Sequence, residues 1–199
     1  SDRDPIKARA LRLGNTIGIV SLSWFGGEPF APRARRGNAM LESLGYRVRI
    51  GTHAFNTRNH VSDSAEHRVS VLHAMFADDD IGAIICSIGG DHSCHLLPLI
   101  DWGLILAHPK IFLGVSDITV LTNAIRSQTG LVTFNGPMLL TDWAEFPTMP
   151  ELSLRSALGV LTDPHPLATS SGGEGTDDFV DWTTGADRTR WRPHQPGDG

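Results

Sequence analysis

At 199 residues, 40% hydrophobic and 20% charged, the chain has ordinary globular composition, which excludes collagen-like, coiled-coil and wholly disordered readings. Seventeen Lys+Arg against 22 Asp+Glu leave a net charge of −5, the wrong sign for a face that grips phosphate backbones, so nucleic acid is not an expected partner. No apolar run reaches the roughly 18 residues of a membrane span, so no membrane partner is expected either.

The opening stretch SDRDPIKARALRLGN has no apolar h-region, so no secretory leader is expected. The two cysteines, Cys86 and Cys94, make neither a disulfide framework nor a zinc spacing, and a reducing, cytoplasmic setting is the expectation.

Residues 16–21 form a continuous apolar run and predict a buried parallel strand. Residues 32–44 place Ala34, Met40, Leu41 and Leu44 near one helical stripe, with Gly45 as the C-cap. Residues 46–50 alternate as a half-exposed strand. A helix begins at Ser64-Ala65-Glu66-His67 and carries Val69, Leu72, Met75 and Phe76 at helical spacing. Buried strands follow at 81–85 and 111–115, a helix at 117–128 with Gly130 beyond it, a fifth strand at 131–134, and a helix at 151–161. Strand and helix in repeated alternation predict an α/β fold: a three-layer sandwich around a mainly parallel sheet.

The final 38 residues, 162–199, hold six Gly, four Pro and only five large apolar side chains: Leu167, Phe179, Val180, Trp182 and Trp191. Such a segment cannot bury a core of its own and reads as a linker after a domain spanning 1–161.

Ligands of parallel sheets bind beyond the carboxyl ends of the strands, and four ends here are polar or glycine-rich. They are Ser21-Leu22-Ser23-Trp24-Phe25-Gly26-Gly27, Ser87-Ile88-Gly89-Gly90-Asp91-His92-Ser93, Gly114-Val115-Ser116-Asp117 and Asn135-Gly136-Pro137. Ser116 sits between a strand and a helix, where a turn thrusts a side chain out of the sheet. It reads either as a nucleophile or as the N-cap of the following helix. Gly89-Gly90 allows close backbone approach, either to supply amides to an oxyanion or simply to turn. Asp91, His92 and Ser93 read as first-turn residues or substrate contacts, and Ser21 and Ser23 as rim lining or strand closure.

Cys86 behaves as a core residue, and Cys94 is a weaker nucleophile candidate than Ser116. Of the nine His, His53, His60, His67, His73 and His108 show no paired acid, and His165 and His194 lie in the tail. There is no metal spacing such as H-E-x-x-H, no phosphate loop and no G-x-G-x-x-G after the first strand, so no metal or cofactor is expected. The residues alone supply a nucleophile and an oxyanion hole without an identifiable base.

Several ordered segments resemble the LD-carboxypeptidase family. They include Gly14-Asn15-Thr16-Ile17-Gly18-Ile19-Val20-Ser21 and Ile88-Gly89-Gly90-Asp91-His92-Ser93 running into Leu96-Leu97-Pro98-Leu99-Ile100-Asp101. The run His108-Pro109-Lys110-Ile111-Phe112-Leu113-Gly114-Val115-Ser116-Asp117-Ile118-Thr119 is similar to the family's Asn-Pro-Lys … Gly-[aromatic]-Ser-Asp pattern. The Gly-Gly-Asp-His-Ser loop and Ser21-Leu22-Ser23-Trp24 look closer to the microcin C immunity branch than to the murein branch.

The resemblance implies a serine peptidase whose N-terminal domain is flavodoxin-like or class I glutamine amidotransferase-like. Ser116 would be the nucleophile and the amides of Gly90 and Asp117 the oxyanion hole. Substrate contacts are expected from Ser23, Gly89, Asp91, His92 and Ser93. Murein-branch enzymes release terminal D-Ala from a peptidoglycan tetrapeptide, immunity-branch enzymes cleave aminoacyl-nucleotide antibiotics, and homodimers are usual. The family completes its triad with a Glu and a His from a C-terminal domain. Asp177-Asp178-Phe179-Val180-Asp181-Trp182 resembles the stretch just before that domain, so the expectation is an N-terminal domain and linker, inactive alone. A catalytically dead peptide- or nucleotide-binding module using the same rim is the competing expectation.

Overall fold

Five consecutive buried residues, Thr16–Val20, make β1, which is covered on both faces because its side chains leave neither face wet. The computed structural model describes residues 4–24, 30–56, 58–163, 165, 174–175, 178–188 and 195–196. In it β1 pairs in parallel with β2 (Arg47–Ile50) on one side and with β3 (Ile81–Cys86) on the other. β3 in turn pairs in parallel with β4 (Ile111–Leu113), giving the order β2-β1-β3-β4. A two-residue antiparallel pair, β5 (Glu174–Gly175) with β6 (Gln195–Pro196), lies outside this sheet.

The pleat sorts the core into two layers. Ile17, Ile19, Ala83, Ile85, Ile111 and Leu113 pack with residues of α1 (Ala31–Ser43) and α5 (Glu151–Thr162). Val20, Ile84, Cys86 and Phe112 pack instead with α2 (Ala65–Ala77), α3 (Trp102–Ala107) and α4 (Thr119–Thr129). This is the three-layer α/β sandwich that the alternation of elements predicts. The chain leaves β1 on the α1 side and returns to β3 on the α2 side, so the strand order reverses between β1 and β3. Crevices open at such a reversal.

Local chemistry sets the boundaries. Ser64 caps α2 by accepting the His67 N–H at 3.3 Å, and Gly130 ends α4 in the left-handed region, with φ 84°. The expected fifth strand at 131–134 is not a continuous strand. Leu131 bridges Ile6 and Phe134 bridges Leu113, so the segment divides its hydrogen bonds between two neighbours and builds no ladder. β4 is also shorter than expected, because the chain turns into a corner from Gly114. Among the described residues no helix is long and apolar enough to cross a membrane.

Within the tail, residues 178–188 dock on the domain. Val180 is buried, Trp182 packs edge-on to Phe30 with ring centroids 5.8 Å apart, and the Arg33 guanidinium lies 4.1 Å above the Trp182 ring. Asp187 accepts from Arg33 at 2.9 Å and from Arg36 at 2.6 Å. Composition misses this docking because one carboxylate and one indole, placed on α1, suffice for it. Phe25-Gly26-Gly27, Leu167, Asp177, Trp191 and His194 lie outside the described residues.

Candidate active site

The corner after β4 is built from glycine and a left-handed serine. At Gly114 a Cβ would come within 2.6 Å of Ile118 Cγ2 and 3.2 Å of Cys86 Cβ, so the strand can leave the sheet here only without a side chain. Val115 is extended, and Ser116 follows with φ 61°. Left-handed backbone at a non-glycine residue costs about 1–3 kcal/mol and persists where the surroundings impose it. The 3₁₀ turn Ser116–Ile118 then leads into α4, and no side chain caps either one. The N-cap role for Ser116 is therefore not realised. Ser116 is exposed, and among the described residues its hydroxyl forms no hydrogen bond.

The loop after β3 closes on this corner. A Cβ on Gly89 would sit 2.9 Å from Ser116 Cβ, 3.1 Å from Ser116 Oγ and 3.5 Å from Asp117 N. Backbone, hydroxyl and amide thus meet at one spot because residue 89 has no side chain. Gly90 adopts φ 144°, and a Cβ there would overlap Ser23 Oγ and lie 2.7 Å from Trp24 N. The Trp24 N–H donates to Gly89 O at 3.0 Å, tying the loop after β1 to the same place.

Asp117 joins the three strand ends. Its carboxylate accepts from Ser23 Oγ at 2.5 Å and from the Ser93 N–H at 2.8 Å, while Ser93 Oγ donates to the Asp117 carbonyl at 2.8 Å. Ser23 Oγ also accepts the His92 N–H at 2.9 Å. Ser23 and Ser93 are fully buried, and these two hydroxyls brace the corner. Asp91 is exposed, and half-buried His92 turns its Nδ1 to the Asp91 carboxylate.

Burial opposes ionisation of Asp117, but the hydrogen bonds from Ser23, Ser93 and the His92 backbone outweigh it and hold the carboxyl below its ordinary value. A depressed folded value stabilises the corner fully above about pH 4–5, and that contribution is lost as pH falls through the folded value. Asp117→Asn is accordingly expected to lower the melting temperature at pH 7, with the gap from wild type closing toward pH 3. Thermal unfolding across that range checks it, and a gap independent of pH would refute the assignment.

Sequence reasoning misses Arg68. It lies on α2, is 4% exposed, and donates from Nη1 to Leu22 O at 2.7 Å and His92 O at 3.2 Å. Burial lowers its basicity, and Asp117 is the leading group opposing this. The available signal was an arginine on the helical stripe that carries Leu72 and Met75. Cys86 is wholly buried, and burial pushes its thiol up, in keeping with a core role, whereas Cys94 is exposed. The apolar cavity of about 400 Å³ between Phe134–Pro137 and α5 is lined by neither Ser116 nor Gly89.

Residues 17–136 match the family model described as the LD-carboxypeptidase N-terminal domain. The chain is 40% identical over 165 residues to a probable murein peptide carboxypeptidase of Bacillus subtilis, covering 83% of this chain and 46% of that protein. It is 34% identical over 158 residues to the microcin C7 self-immunity protein MccF of Escherichia coli, covering 79% of this chain and 46% of that protein. A structure of MccF in complex with glutamyl sulfamoyl guanosine superposes with a TM-score of 0.89 at 28% identity, over 98% of this chain and 58% of that one. The chain spans about half the length of the curated relatives it matches.

Proposed function

The chain belongs to the LD-carboxypeptidase family, and from that premise we propose that it is the nucleophile-bearing part of a serine peptidase acting on a small peptide or peptide–nucleotide. Ser116 Oγ adds to the carbonyl carbon of the scissile amide and gives its proton to a general base. The N–H groups of Gly90 and Asp117 hold the oxyanion, where donors fixed in advance act without reorganising. The C–N bond then breaks, the base returns the proton to the leaving amine, and water hydrolyses the acyl ester.

In this reading the base is a His oriented by a Glu, both from a C-terminal domain reached through residues 162–199, and the 199 residues alone are inactive or nearly so. The observation that carries it is the exposed, left-handed Ser116 against a residue 89 that has no room for a side chain. The substrate class is supported by the murein peptide and microcin relatives and by the nucleotide analogue in the similar structure. A cytoplasmic place, a homodimeric complete form and a part in peptidoglycan recycling or antibiotic immunity go with the same reading.

The test is mass spectrometry of a murein tetrapeptide and of an aminoacyl sulfamoyl adenosine, each incubated with the natural full-length protein. Cleavage of either amide at the carboxyl-terminal or nucleotide end supports the proposal. Binding of both without turnover refutes it in favour of a ligand-holding module, and neither binding nor cleavage refutes the substrate class as well.

A further inference from the structure

Away from the active corner, the fold gathers a second set of chemically capable side chains. In the sequence His53 and His67 have no evident acid, yet in the structure both reach Asp63. His53 Nδ1 lies 3.4 Å from Asp63 Oδ2, and His67 Nδ1 lies 3.1 Å from Asp63 Oδ1. The two imidazoles stack with centroids 5.4 Å apart and planes inclined by 12°. One ligand atom from each of the three residues lies within 4.8 Å of the others, close enough for a single ion to draw them together.

Each group is oriented independently. His53 adopts φ 66°, a left-handed conformation uncommon outside glycine, which turns the loop after β2 back toward α2. Asp63 is 9% exposed, and its Oδ1 accepts the Ser64 N–H at 2.7 Å, which fixes the carboxylate as outer-shell bonds do in metal sites. His67 stands in the first turn of α2, held by the Ser64 cap. Two groups compete with an ion. Asn56 Nδ2 lies 2.7 Å from His53 Nδ1, and Arg58 Nη1 lies 3.8 Å from Asp63 Oδ1. Both belong to exposed side chains that can turn into solvent.

We propose that His53, Asp63 and His67 bind one divalent transition-metal ion of the zinc, cobalt or nickel class. Two imidazoles and one carboxylate suit these borderline ions better than calcium or magnesium, which prefer all-oxygen sets. Three protein ligands leave a further position for water. The ion ties the loop after β2 to the start of α2, one residue before Arg68, which holds the Leu22 and His92 carbonyls behind the active corner. The proposal stands independently of the role of Ser116.

Metal-stripped protein, as the full natural chain, is titrated with Zn²⁺ by calorimetry and with Co²⁺ by visible absorption. Binding of one ion per chain is expected, with d–d bands of low-symmetry cobalt. His53→Ala and His67→Ala, both at exposed positions, are each expected to weaken binding by about tenfold or more, since even outer-shell changes at metal sites cost 10–100-fold. His60→Ala, at a nearby exposed residue outside the trio, serves as the control and leaves affinity unchanged. Absence of stoichiometric binding, or affinity that survives either substitution in the trio, overturns the proposal.

Discussion

Ser116→Ala is expected to lower kcat of the full-length protein by about 10⁴–10⁶, the range seen when a triad nucleophile is removed. The expectation rests on the corner. The hydroxyl is exposed, engaged by no described residue, and adjoins Gly89 and the Asp117 amide, so it has chemical access and no structural duty. Removal of such an exposed group alters stability by about 0.5 kcal/mol or less, because no buried partner is orphaned. The backbone at φ 61° costs Ala and Ser alike. Single-turnover hydrolysis and thermal unfolding, measured together, separate the two effects. Turnover that persists within tenfold of wild type would remove Ser116 from the nucleophile's role. An equal fall in melting temperature and activity would make it a structural residue.

The second large effect lies on α1, far from the chemistry in sequence. Arg33→Ala is expected to destabilise the protein by about 3–5 kcal/mol, the cost of breaking a buried charge pair by removing one partner. Arg33 is 3% exposed and donates to Leu140 O at 2.5 Å, Asp187 Oδ2 at 2.9 Å and Thr141 O at 3.4 Å. Its Nη2 lies 3.6 Å from Glu145, and its plane covers Trp182. Without the guanidinium, two carbonyls lose a donor and the buried Asp187 keeps Arg36 alone of its two arginines. For a chain of this size, a fall in melting temperature of roughly 6–20 °C corresponds to that free energy. Arg33→Lys should restore only part of it, since an ammonium cannot serve three acceptors in a fixed fork. Limited proteolysis should show residues 178–188 cut first, because they lose their anchor. A loss below about 1 kcal/mol, typical of exposed ion pairs, would show that the contact is a surface one.

The sheet was legible in the sequence for a definite reason. Runs such as 16–21 and 81–85 are apolar without alternation, and only a strand covered on both faces tolerates that. Gly89 and Gly90 were legible as places where backbone must pass closely, and each stands where a Cβ would collide. The strand at 131–134 was overread, since its residues favour extension but its neighbours take its hydrogen bonds on two different sides. The 3₁₀ turn Ser93–Leu99, the six-residue α3 and the π-helical turn Leu139–Trp143 are too short for periodicity to register.

By itself the sequence determined the layered α/β architecture, the strand-end rim and the serine on its corner, because burial on both faces and tight turns are written in consecutive residues. Tertiary structure alone decided which polar groups meet: Ser23 with Asp117 across 94 positions, Arg33 with Asp187 across 154, and His53 with Asp63. Side-chain periodicity carries information over a few residues, whereas these partners are brought together by crossovers and loops whose directions depend on how whole helices pack against the sheet.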